Sequence, residues 1–383
     1  MNPAQQNRFE VAVIGSGPAG ASAALALAQS GHSVVLLEKA ALPRYKTCGG
    51  GVLARAFHRL PPAVHTAIEC AFHSVALHLP GPGLSFVATR PQPLVYMAMR
   101  ADLDWLLVRQ ARQAGVQVVE SCAVKGLEER NDGVEIIAEA AIYHAKFVVA
   151  ADGVHGVTAK AAGWSPLPAL APALEHEIYL SDEDFARFSQ IPRFDFGAID
   201  GGYAWVFPKR AHLSVGIMSA QRVCPHLPAA LGAYLRGLGI TRITKSERHG
   251  YLIPLAPRRG PLARGRVLLA GDTAGLVDPV TAEGITHAVW SGQLAAAALT
   301  ECHLDASVIA ARYQLLLEQN ILGDLRAARF LARLLYRHPR LRDGIFRRRG
   351  QKLCEFMASV VMGEARYSDA LKRPASYLKL LGL

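Results

Sequence analysis

A glycine-rich turn between a buried strand and a helix, near the start of the chain, constrains the fold more than any other feature. Residues 9–14 are a short apolar run, and Gly15-Ser16-Gly17-Pro18-Ala19-Gly20 follows it with the spacing GxGxxG. An Ala/Leu-rich helical stretch comes next, and residues 33–37 give a second apolar run that ends at Glu38. A strand, a helix and a strand in this order predict a βαβ unit, which favours a parallel sheet.

The three glycines of this turn each have a physical task in binding a pyrophosphate. Gly15 permits the tight turn, Gly17 lets the backbone approach the phosphates, and Gly20 lets helix and strand pack closely. The helix start offers free N–H groups and the positive end of its dipole. Glu38, 18 residues after Gly20, is placed to accept hydrogen bonds from a ribose and would repel a 2′-phosphate. The pattern predicts a dinucleotide site that favours FAD or NAD over NADP.

Two further segments favour FAD. Residues 265–275 read as a buried strand that ends in Gly271-Asp272 and runs towards a helix, so that the carboxylate can accept hydrogen bonds from ribityl hydroxyls. A helix N-cap is the alternative for Asp272. Together with Gly284, this segment resembles the Gly-Asp motif of glutathione-reductase-type flavoproteins in the aromatic hydroxylase branch. Arg100 opens a helix and matches the arginine near the FAD phosphates in that branch, whereas the alternative is a surface arginine.

Two longer motifs narrow the family. Residues 43–51 read Pro-Arg-Tyr-Lys-Thr-Cys-Gly-Gly-Gly and resemble the PxxKxCGGG segment of the geranylgeranyl reductase family. Residues 203–209 read Tyr-Ala-Trp-Val-Phe-Pro-Lys and, with Gly216, fit that family's YxWxFPKxxxxxxG signature. The resemblance runs from about residue 9 to about residue 300. It implies an enzyme that uses reduced FAD to reduce isolated double bonds of isoprenoid chains on lipids, chlorophyll precursors or quinones.

The motifs and the resemblance together give the expected site residues. Those expected to bind FAD are Gly15, Gly17, Pro18, Ala19, Gly20, Glu38, Lys39, Arg44, Cys48, Gly49, Gly50, Arg100, Asp152, Gly271, Asp272 and Gly284. The resemblance implies that Tyr203, Trp205 and Phe207 line a substrate tunnel. Alternate residues of a strand share one face, so the three rings would form an aromatic wall, with ordinary core as the alternative. Hydride transfer to an alkene needs a dry tunnel and one acid. Cys48 and Tyr203 are the candidates, Cys48 preferred for its expected closeness to the flavin.

One segment departs from the family pattern. Gly156 stands where relatives usually carry serine, and Ala159 stands where they usually carry arginine. Lys160 is a candidate for the missing cation, and the electron donor stays open between NAD(P)H and another reductant. Two other functions also stay open, an FAD-dependent monooxygenase of the same fold and a non-catalytic membrane-associated flavoprotein.

The patterns along the chain predict a discontinuous α/β architecture. Residues 1–60, 101–155 and 265–300 are expected to form a Rossmann-like FAD-binding domain of the glutathione reductase/p-hydroxybenzoate hydroxylase type. Residues 61–100 and 156–264 are expected to form an inserted, mostly antiparallel β layer that binds the substrate, and residues 301–383 a helical C-terminal region. Pro166, Pro168 and Pro172 predict a linker.

The basic charge of the chain is concentrated in one segment. The formal net charge is +11, and residues 326–352 hold ten basic residues against one acid, which gives +9. Arg326, Arg329, Arg333 and Arg337 recur at spacings that place them on one helical face. The face is either a solvated surface or a surface that docks to an anionic membrane. No nucleic-acid recognition motif accompanies it, and the pattern specifies no oligomeric state.

Cysteine usage and hydropathy indicate the compartment. The six cysteines form no CxxC pair, so we expect neither a disulfide framework nor a metal site, and a reducing cytoplasm fits best. No secretory signal is evident, and no apolar run of about 20 residues predicts a membrane span. The expected protein is cytoplasmic, with peripheral contact to the inner face of the membrane through the basic segment.

Overall fold

Three β-sheets organise the computed structural model, which describes residues 7–221 and 226–372. The strands are β1 (Arg8–Ile14), β2 (Val34–Leu37), β3 (Gly51–Leu53), β4 (Ile68–Phe72), β5 (Ser74–Leu79), β6 (Leu84–Thr89), β7 (Val95–Ala98), β8 (Gln117–Val119), β9 (Val124–Glu129), β10 (Val134–Ala138), β11 (Ile142–Ala150), β12 (Leu170–Tyr179), β13 (Arg193–Phe196), β14 (Gly202–Pro208), β15 (Leu213–Ser219), β16 (Lys245–Pro254), β17 (Ala263–Arg264) and β18 (Val267–Leu269). Cys224 and everything after residue 372 lie outside the described residues.

Helices connect and cover these sheets. They are α1 (Pro18–Gln29), α2 (Ala54–Phe57), α3 (Arg100–Gln113), α4 (Thr158–Ala161), α5 (Asp182–Ala186), α6 (Leu227–Gly237), α7 (Gly271–Ala274), α8 (Ile285–Glu301), α9 (Ile309–Leu317), α10 (Gly323–Arg337), α11 (Pro339–Met362) and α12 (Tyr367–Lys372). A 3-10 turn spans Pro62–Ala67, and a π-helical turn, Glu318–Leu322, joins α9 to α10.

The first sheet confirms the predicted parallel βαβ opening. Its order is β17-β18-β11-β1-β2-β8, and β1 pairs in parallel with both β2 and β11. The antiparallel strands β9 and β10, which the sequence patterns did not predict, extend it beyond β11. Helices α1 and α8 pack so closely that a Cβ added at Gly292 would lie 2.1 Å from the carbonyl oxygen of Ala19. The carboxyl ends of the parallel strands therefore meet at the glycine turn, where open α/β sheets bind ligands.

The second sheet has the order β16-β12-β15-β14-β13-β5-β6 and is antiparallel except for the β13–β5 pair. The strands predicted around residues 75–79, 85–88, 203–207 and 213–218 all belong to it. The predicted linker is wrong at Pro172, which lies inside β12 opposite Leu252. Pairing of β12 with β15 starts only at Ala173, so Pro172 has a strand on one side alone, and a missing N–H is tolerated there.

The C-terminal helices are tied to the loop of residues 278–284, which leads into α8. The hydroxyl of Tyr336 donates to the Val280 carbonyl, and that of Tyr367 donates to the Asp278 carboxylate at 3.1 Å. Asp278 in turn accepts the backbone N–H groups of Val280 and Thr281. Among the described residues, no helix is both long enough and apolar enough to cross a bilayer. The helical region that follows residue 300 thus braces one wall of the site described next.

Candidate active site

One cavity of about 630 Å³ runs from the glycine turn to α11. The sequence-predicted residues that line it are Gly15, Gly17, Pro18, Ala19, Glu38, Lys39, Arg44, Cys48, Gly49, Gly50, Arg100, Asp152, Tyr203, Trp205, Phe207, Asp272 and Gly284. Gly20 and Gly271 lie behind the wall, where a Cβ would be 1.9 Å from the Gly15 carbonyl oxygen and 2.9 Å from the Ala19 Cβ. These two glycines serve close packing, and the rest face one continuous space.

The backbone at Gly17 is open towards the cavity. An added Cβ would find its nearest heavy atom, Nη2 of Arg44, at 3.9 Å. The protein itself therefore has room for a side chain at this position. A backbone cradle in front of a helix N-terminus, with a guanidinium beside it, fits a bound pyrophosphate.

Glu38 shapes the glycine turn from the end of β2. One carboxylate oxygen accepts the backbone N–H of Ser16 at 2.8 Å and its hydroxyl at 2.6 Å. The other accepts the N–H of Ala40 and lies 3.5 Å from Nε of Arg44. Arg44 also reaches the carboxylate of Asp104 at 3.2 Å. Buried acids on both sides thus hold a positive charge at the phosphate end of the cavity.

The segment that departs from the family pattern is packed around Asp152. Its carboxylate accepts the N–H and hydroxyl of Thr158 at 3.0 and 2.6 Å, and the Thr273 hydroxyl at 3.2 Å. A Cβ at Gly156 would lie 2.0 Å from the Asp152 Cγ, so serine does not fit there. Lys160 is exposed on α4 and does not line the cavity, so its role as the missing cation stays a prediction.

The middle of the cavity holds a buried group of charges around Cys48. Arg100 binds both carboxylate oxygens of Asp104 at 2.8 and 2.9 Å, and its charge lies near the Cys48 thiol. Burial raises the pKa of Asp272 although Lys46 and Arg100 act against it. Asp272 is not an N-cap, since Ala270 takes that position in α7. The carboxylate therefore faces the cavity beside two cations.

Lys46 is a cavity residue that the sequence reasoning missed. Its ammonium lies 3.1 Å from the ring centroid of Tyr251. Burial, with a contribution from the Arg100 charge, lowers the pKa of Lys46 to about 8. Lys46 occupies the fixed lysine position of the PxxKxCGGG segment. That position could have identified it as a site residue.

An aromatic wall closes the apolar end. It consists of Phe194 and Phe196 on β13 and Tyr203, Trp205 and Phe207 on β14, with neighbouring ring centroids 5.1–6.2 Å apart. All five side chains line the cavity, as do Met357 and Val361 of α11. The expectation of a tunnel lined by the three β14 aromatics agrees with this arrangement. Strand β13 and α11 were missed because they carry no recognisable motif.

The two candidate acids differ in their surroundings. The Tyr203 hydroxyl already donates to the Thr281 carbonyl at 2.5 Å, and burial raises the pKa of Tyr203 far above its usual range. The Cys48 thiol accepts the N–H of Gly50 at 3.4 Å and lies beside the Arg100 guanidinium. A tyrosine with a raised pKa and a committed proton is the poorer donor, which favours Cys48.

The two family motifs touch each other at the glycine triplet. A Cβ at Gly49 would lie 2.8 Å from the Phe207 ring, and a Cβ at Gly50 would lie 2.0 Å from Nζ of Lys209. Lys209 is buried and donates to the Ala98 carbonyl at 3.0 Å. Neither glycine can carry a side chain without displacing the wall or β7.

A buried carboxylate, also missed from sequence, links this segment to the wall. Glu175 accepts the Cys48 N–H at 3.1 Å on one oxygen and the Ser214 hydroxyl at 2.5 Å on the other. Ser214 accepts the indole N–H of Trp205 at 3.1 Å. The chain of bonds holds Cys48 and the Trp205 ring in a fixed relation.

Comparisons with known proteins agree with these features. Residues 8–175 match the family described as FAD binding domain. The chain is 31% identical over 350 residues to digeranylgeranylglycerophospholipid reductase 1 of Methanopyrus kandleri. The match covers 85% of this chain and 90% of that protein. It is 26% identical to the menaquinone reductase of Mycolicibacterium smegmatis, over 86% of this chain and 85% of that protein.

A solved structure shares the fold. The geranylgeranyl bacteriochlorophyll reductase-like protein of Thermoplasma acidophilum superposes with a TM-score of 0.76 at 20% identity, covering 98% of this chain and 99% of that one. Because it covers 98% of this chain, the likeness includes the C-terminal helices.

We predict that Gly17→Val folds like the parent protein and binds FAD about 100-fold more weakly, the equivalent of roughly 3 kcal/mol of overpacking. The added methyl groups would occupy the empty cradle. The measurement is the FAD dissociation constant of the purified apoprotein. Gly126→Val on β9 is the matched control, because its nearest contact is also 3.9 Å away and it does not line the cavity. Full flavin affinity in Gly17→Val would show that the phosphates bind elsewhere.

We also predict that FAD binding weakens as the pH rises through about 8. Lys46 is charged below its pKa of about 8 and neutral above it, so one cation that attracts the anionic cofactor is lost. The expected effect between pH 7 and 9.5 is roughly 3- to 10-fold, about 1 kcal/mol for a partly screened charge pair. Lys46→Met should bind FAD with the weaker affinity at both pH values. An unchanged pH profile in Lys46→Met would assign the titration to another group.

Proposed function

The chain belongs to the geranylgeranyl reductase family of FAD-dependent oxidoreductases, and we propose that it reduces isolated C=C bonds in the isoprenoid chain of a lipid, pigment or quinone. The observation that carries the proposal is the single cavity with two unlike ends. The glycine turn and Arg44 suit a dinucleotide, and the aromatic wall with α11 suits an apolar chain.

The residues of the phosphate end and the middle would hold FAD. The cradle at Gly17 and the guanidinium of Arg44 would hold the pyrophosphate, and the carboxylate of Asp272, which lines the same cavity, would accept from the ribityl chain. Bound FAD in its reduced form supplies the hydride for the double bond. The glycine triplet lets the backbone approach a planar ring, because these residues present no side chain.

The chain's own groups complete the reaction by excluding water and supplying a proton. The wall and α11 leave few polar groups at the apolar end. This suits a reaction in which hydride transfer creates a charge that one acid neutralises by donating a proton. We propose that the Cys48 thiol donates the proton. After each double bond is reduced, the resulting thiolate takes up a proton from solvent. Glu175 holds the Cys48 backbone and the Trp205 ring together, so it positions the acid relative to the chain.

The proposed substrate class follows from the wall together with the relatives. Two relatives are named as reductases of a digeranylgeranylglycerophospholipid and of menaquinone, and both names denote molecules with isoprenoid chains. Closely packed aromatic rings bind such a chain by burying its apolar surface, without hydrogen bonds. We propose NAD(P)H or another small reductant as the electron donor.

An anaerobic single turnover tests the proposed activity. The FAD-loaded enzyme is reduced with dithionite, mixed with digeranylgeranylglycerophospholipid or a menaquinone, and sampled by flavin absorbance and mass spectrometry. We predict flavin reoxidation with a gain of two hydrogens per flavin in the lipid. Reoxidation only on admission of oxygen, with an oxygen atom in the product, would identify a monooxygenase. A flavin that stays reduced with every isoprenoid tested would contradict a reductase.

We predict that Cys48→Ser keeps FAD and lowers the rate of the reductive step about 100-fold or more, within the range of general acid catalysis. A serine hydroxyl is a weaker acid and occupies less space than the thiol. The measurement is the same single turnover with flavin content determined beforehand. Cys302→Ser is the control, since Cys302 is also a free cysteine but does not line the cavity. Equal rates in the two variants would make Cys48 a structural thiol.

We further propose that α10 docks the enzyme on the cytoplasmic face of an anionic membrane. Arg326, Arg329, Arg333 and Arg337 are exposed along one side of this helix, while Leu325, Ala328, Leu331 and Leu335 are buried on the other. Phe330 is 46% exposed among the arginines. Helix α10 packs on α11, which supplies Met357 and Val361 to the cavity. Docking would bring the apolar end close to a membrane-dissolved chain.

Two ion pairs reduce the free positive charge of the basic segment, residues 326–352. Arg326 pairs with Glu318 at 2.7 Å, and Arg342 is buried beside Gly197 with its guanidinium on Asp343. The exposed remainder is still strongly cationic. Each basic residue near an anionic surface contributes about 1 kcal/mol, and added salt weakens the attraction.

Vesicle co-sedimentation tests the docking surface. We predict binding to vesicles with anionic lipid, loss of binding with added salt, and a drop of at least about tenfold when the four α10 arginines become glutamine. The control replaces Arg109, Arg236, Arg242 and Arg248, which are exposed elsewhere, with glutamine for the same charge change. An equal loss of vesicle binding in both variants would show that only the net charge of the protein matters. Equal binding to neutral and anionic vesicles would contradict docking through α10.

A further inference from the structure

A group of buried charges lies between the loop that leads into α8 and the C-terminal helices. Nη2 of Arg55, on α2, lies 3.5 Å from a carboxylate oxygen of Glu283 and 3.6 Å from one of Asp278. The side chains of Glu283 and Asp278 are only 7% and 1% exposed. Tyr367 of α12 donates to Asp278 at 3.1 Å, and a Cβ at Gly363 would lie 3.5 Å from the Cβ of Arg55. The ends of α11 and α12 thus enclose the group.

This group lacks hydrogen bonds that its atoms could make. Nε and Nη2 of Arg55 are buried and have no hydrogen-bond partner among the described residues. Oε2 of Glu283 is in the same position, although Oε1 accepts the backbone N–H of Thr286 at 2.7 Å. Buried polar atoms are normally satisfied by protein or by ordered water, and one buried water usually serves several of them. The three atoms therefore indicate ordered water bound beside Arg55 and Glu283.

Glu283 is the member of this group that reaches the cavity. It lines the cavity, whereas Arg55 is not among the lining residues. A Cβ at the next residue, Gly284, would lie 3.4 Å from Oδ1 of Asp272, so this stretch adjoins the polar middle of the cavity. Burial raises the pKa of Glu283, although the Arg55 charge acts against the shift. A carboxyl group in such surroundings can hold a proton and release it.

Tyr203 connects this loop to the region of Cys48. Its hydroxyl donates to the Thr281 carbonyl at 2.5 Å, and the Thr281 hydroxyl accepts the backbone N–H of Glu283 at 3.3 Å. Tyr203 also lies within electrostatic range of both Cys48 and Asp278. The loop therefore brings Glu283 to the part of the cavity that holds the thiol.

We propose that Glu283 returns a proton to Cys48 after each reduction, through ordered water that it shares with Arg55. The inference rests on the proposed function and names the route by which solvent protons reach the thiol. Reduction of a double bond adds a hydride and a proton, and the S–H bond of Cys48 breaks. The O–H bond of Glu283 then breaks and a new S–H bond forms. The Glu283 carboxylate takes its next proton from the water, and solvent replaces that proton.

Arg55 and Asp324 serve the outer part of this route. The charge of Arg55 stabilises the carboxylate that forms when Glu283 gives up its proton. Asp324 on α10 is partly exposed and lies within electrostatic range of Arg55 and Asp278. It marks the side from which solvent reaches the water. One proton enters for each double bond, and the route needs no further oxidant or reductant.

Repeated turnover separates the role of Glu283 from that of Cys48. The FAD-loaded protein is mixed anaerobically with excess dithionite and an excess of digeranylgeranylglycerophospholipid or a menaquinone. Flavin absorbance and mass spectrometry follow the reaction. We predict that Glu283→Gln reduces about one double bond per enzyme at the parental rate, because the Cys48 thiol starts protonated. Later double bonds should be reduced about 100-fold more slowly while the flavin stays reduced, because the thiol is not restored.

Two further variants separate proton return from a structural role. Glu283→Asp keeps a carboxyl group in a shorter side chain and should keep later turnovers within about tenfold of the parent, although Glu283→Gln preserves the shape better. Glu177→Gln is the control, because burial also raises the pKa of Glu177 but this residue does not line the cavity. It should turn over like the parent.

Three results would overturn the proton route. Glu283→Gln could slow the first double bond as much as the later ones, or it could leave all of them at the parental rate. Glu283→Asp could be impaired as strongly as Glu283→Gln. A parent protein that reduces no isoprenoid would overturn the proposed function and this inference with it, and that result differs from the other three.

Discussion

The close approach of the glycine triplet to the aromatic wall is the contact on which the rest of the structure depends. Gly49 leaves no room for a Cβ against Phe207, and Gly50 leaves none against Lys209 and the Ala98 carbonyl. The parallel sheet provides one side of this contact through the segment that follows β2, and the antiparallel sheet provides the other through β14. Because no side chain intervenes, the two sheets share one cavity instead of enclosing two.

This contact also explains why charges gather in the middle of an otherwise apolar space. The segment that brings the glycines to the wall also carries Lys46 and Cys48, and Arg100 and Asp272 meet them there from other elements. Burial raises the pKa of Asp272 and lowers the pKa of Lys46, and the opposite charges nearby partly offset both shifts. The side chains named at the apolar end, Phe194, Phe196, Trp205, Met357 and Val361, carry no charge, so this part of the cavity suits an apolar chain.

The sequence predicted those parts of the site that depend on local chain geometry. In three cases, a few consecutive residues determine the local geometry. These are the glycine turn, the cysteine segment and the alternation of Tyr203, Trp205 and Phe207. Contacts that depend on strand register could not be predicted, since Glu175 acquires its role only where β12 lies beside β15 and below Cys48. Helix α11 contributes Met357 and Val361 through tertiary packing, and its sequence carries only a general amphipathic pattern.

We propose that the flavin and the isoprenoid chain share this one cavity, end to end. A crystal structure of the protein with FAD and a geranylgeranyl lipid measures this most directly. We predict the pyrophosphate of FAD at Gly17 and the isoprenoid chain along Phe194, Trp205 and Phe207, with a double bond beside Cys48. A flavin whose ring fills the space in front of the wall, or a lipid chain bound on another surface, would contradict it.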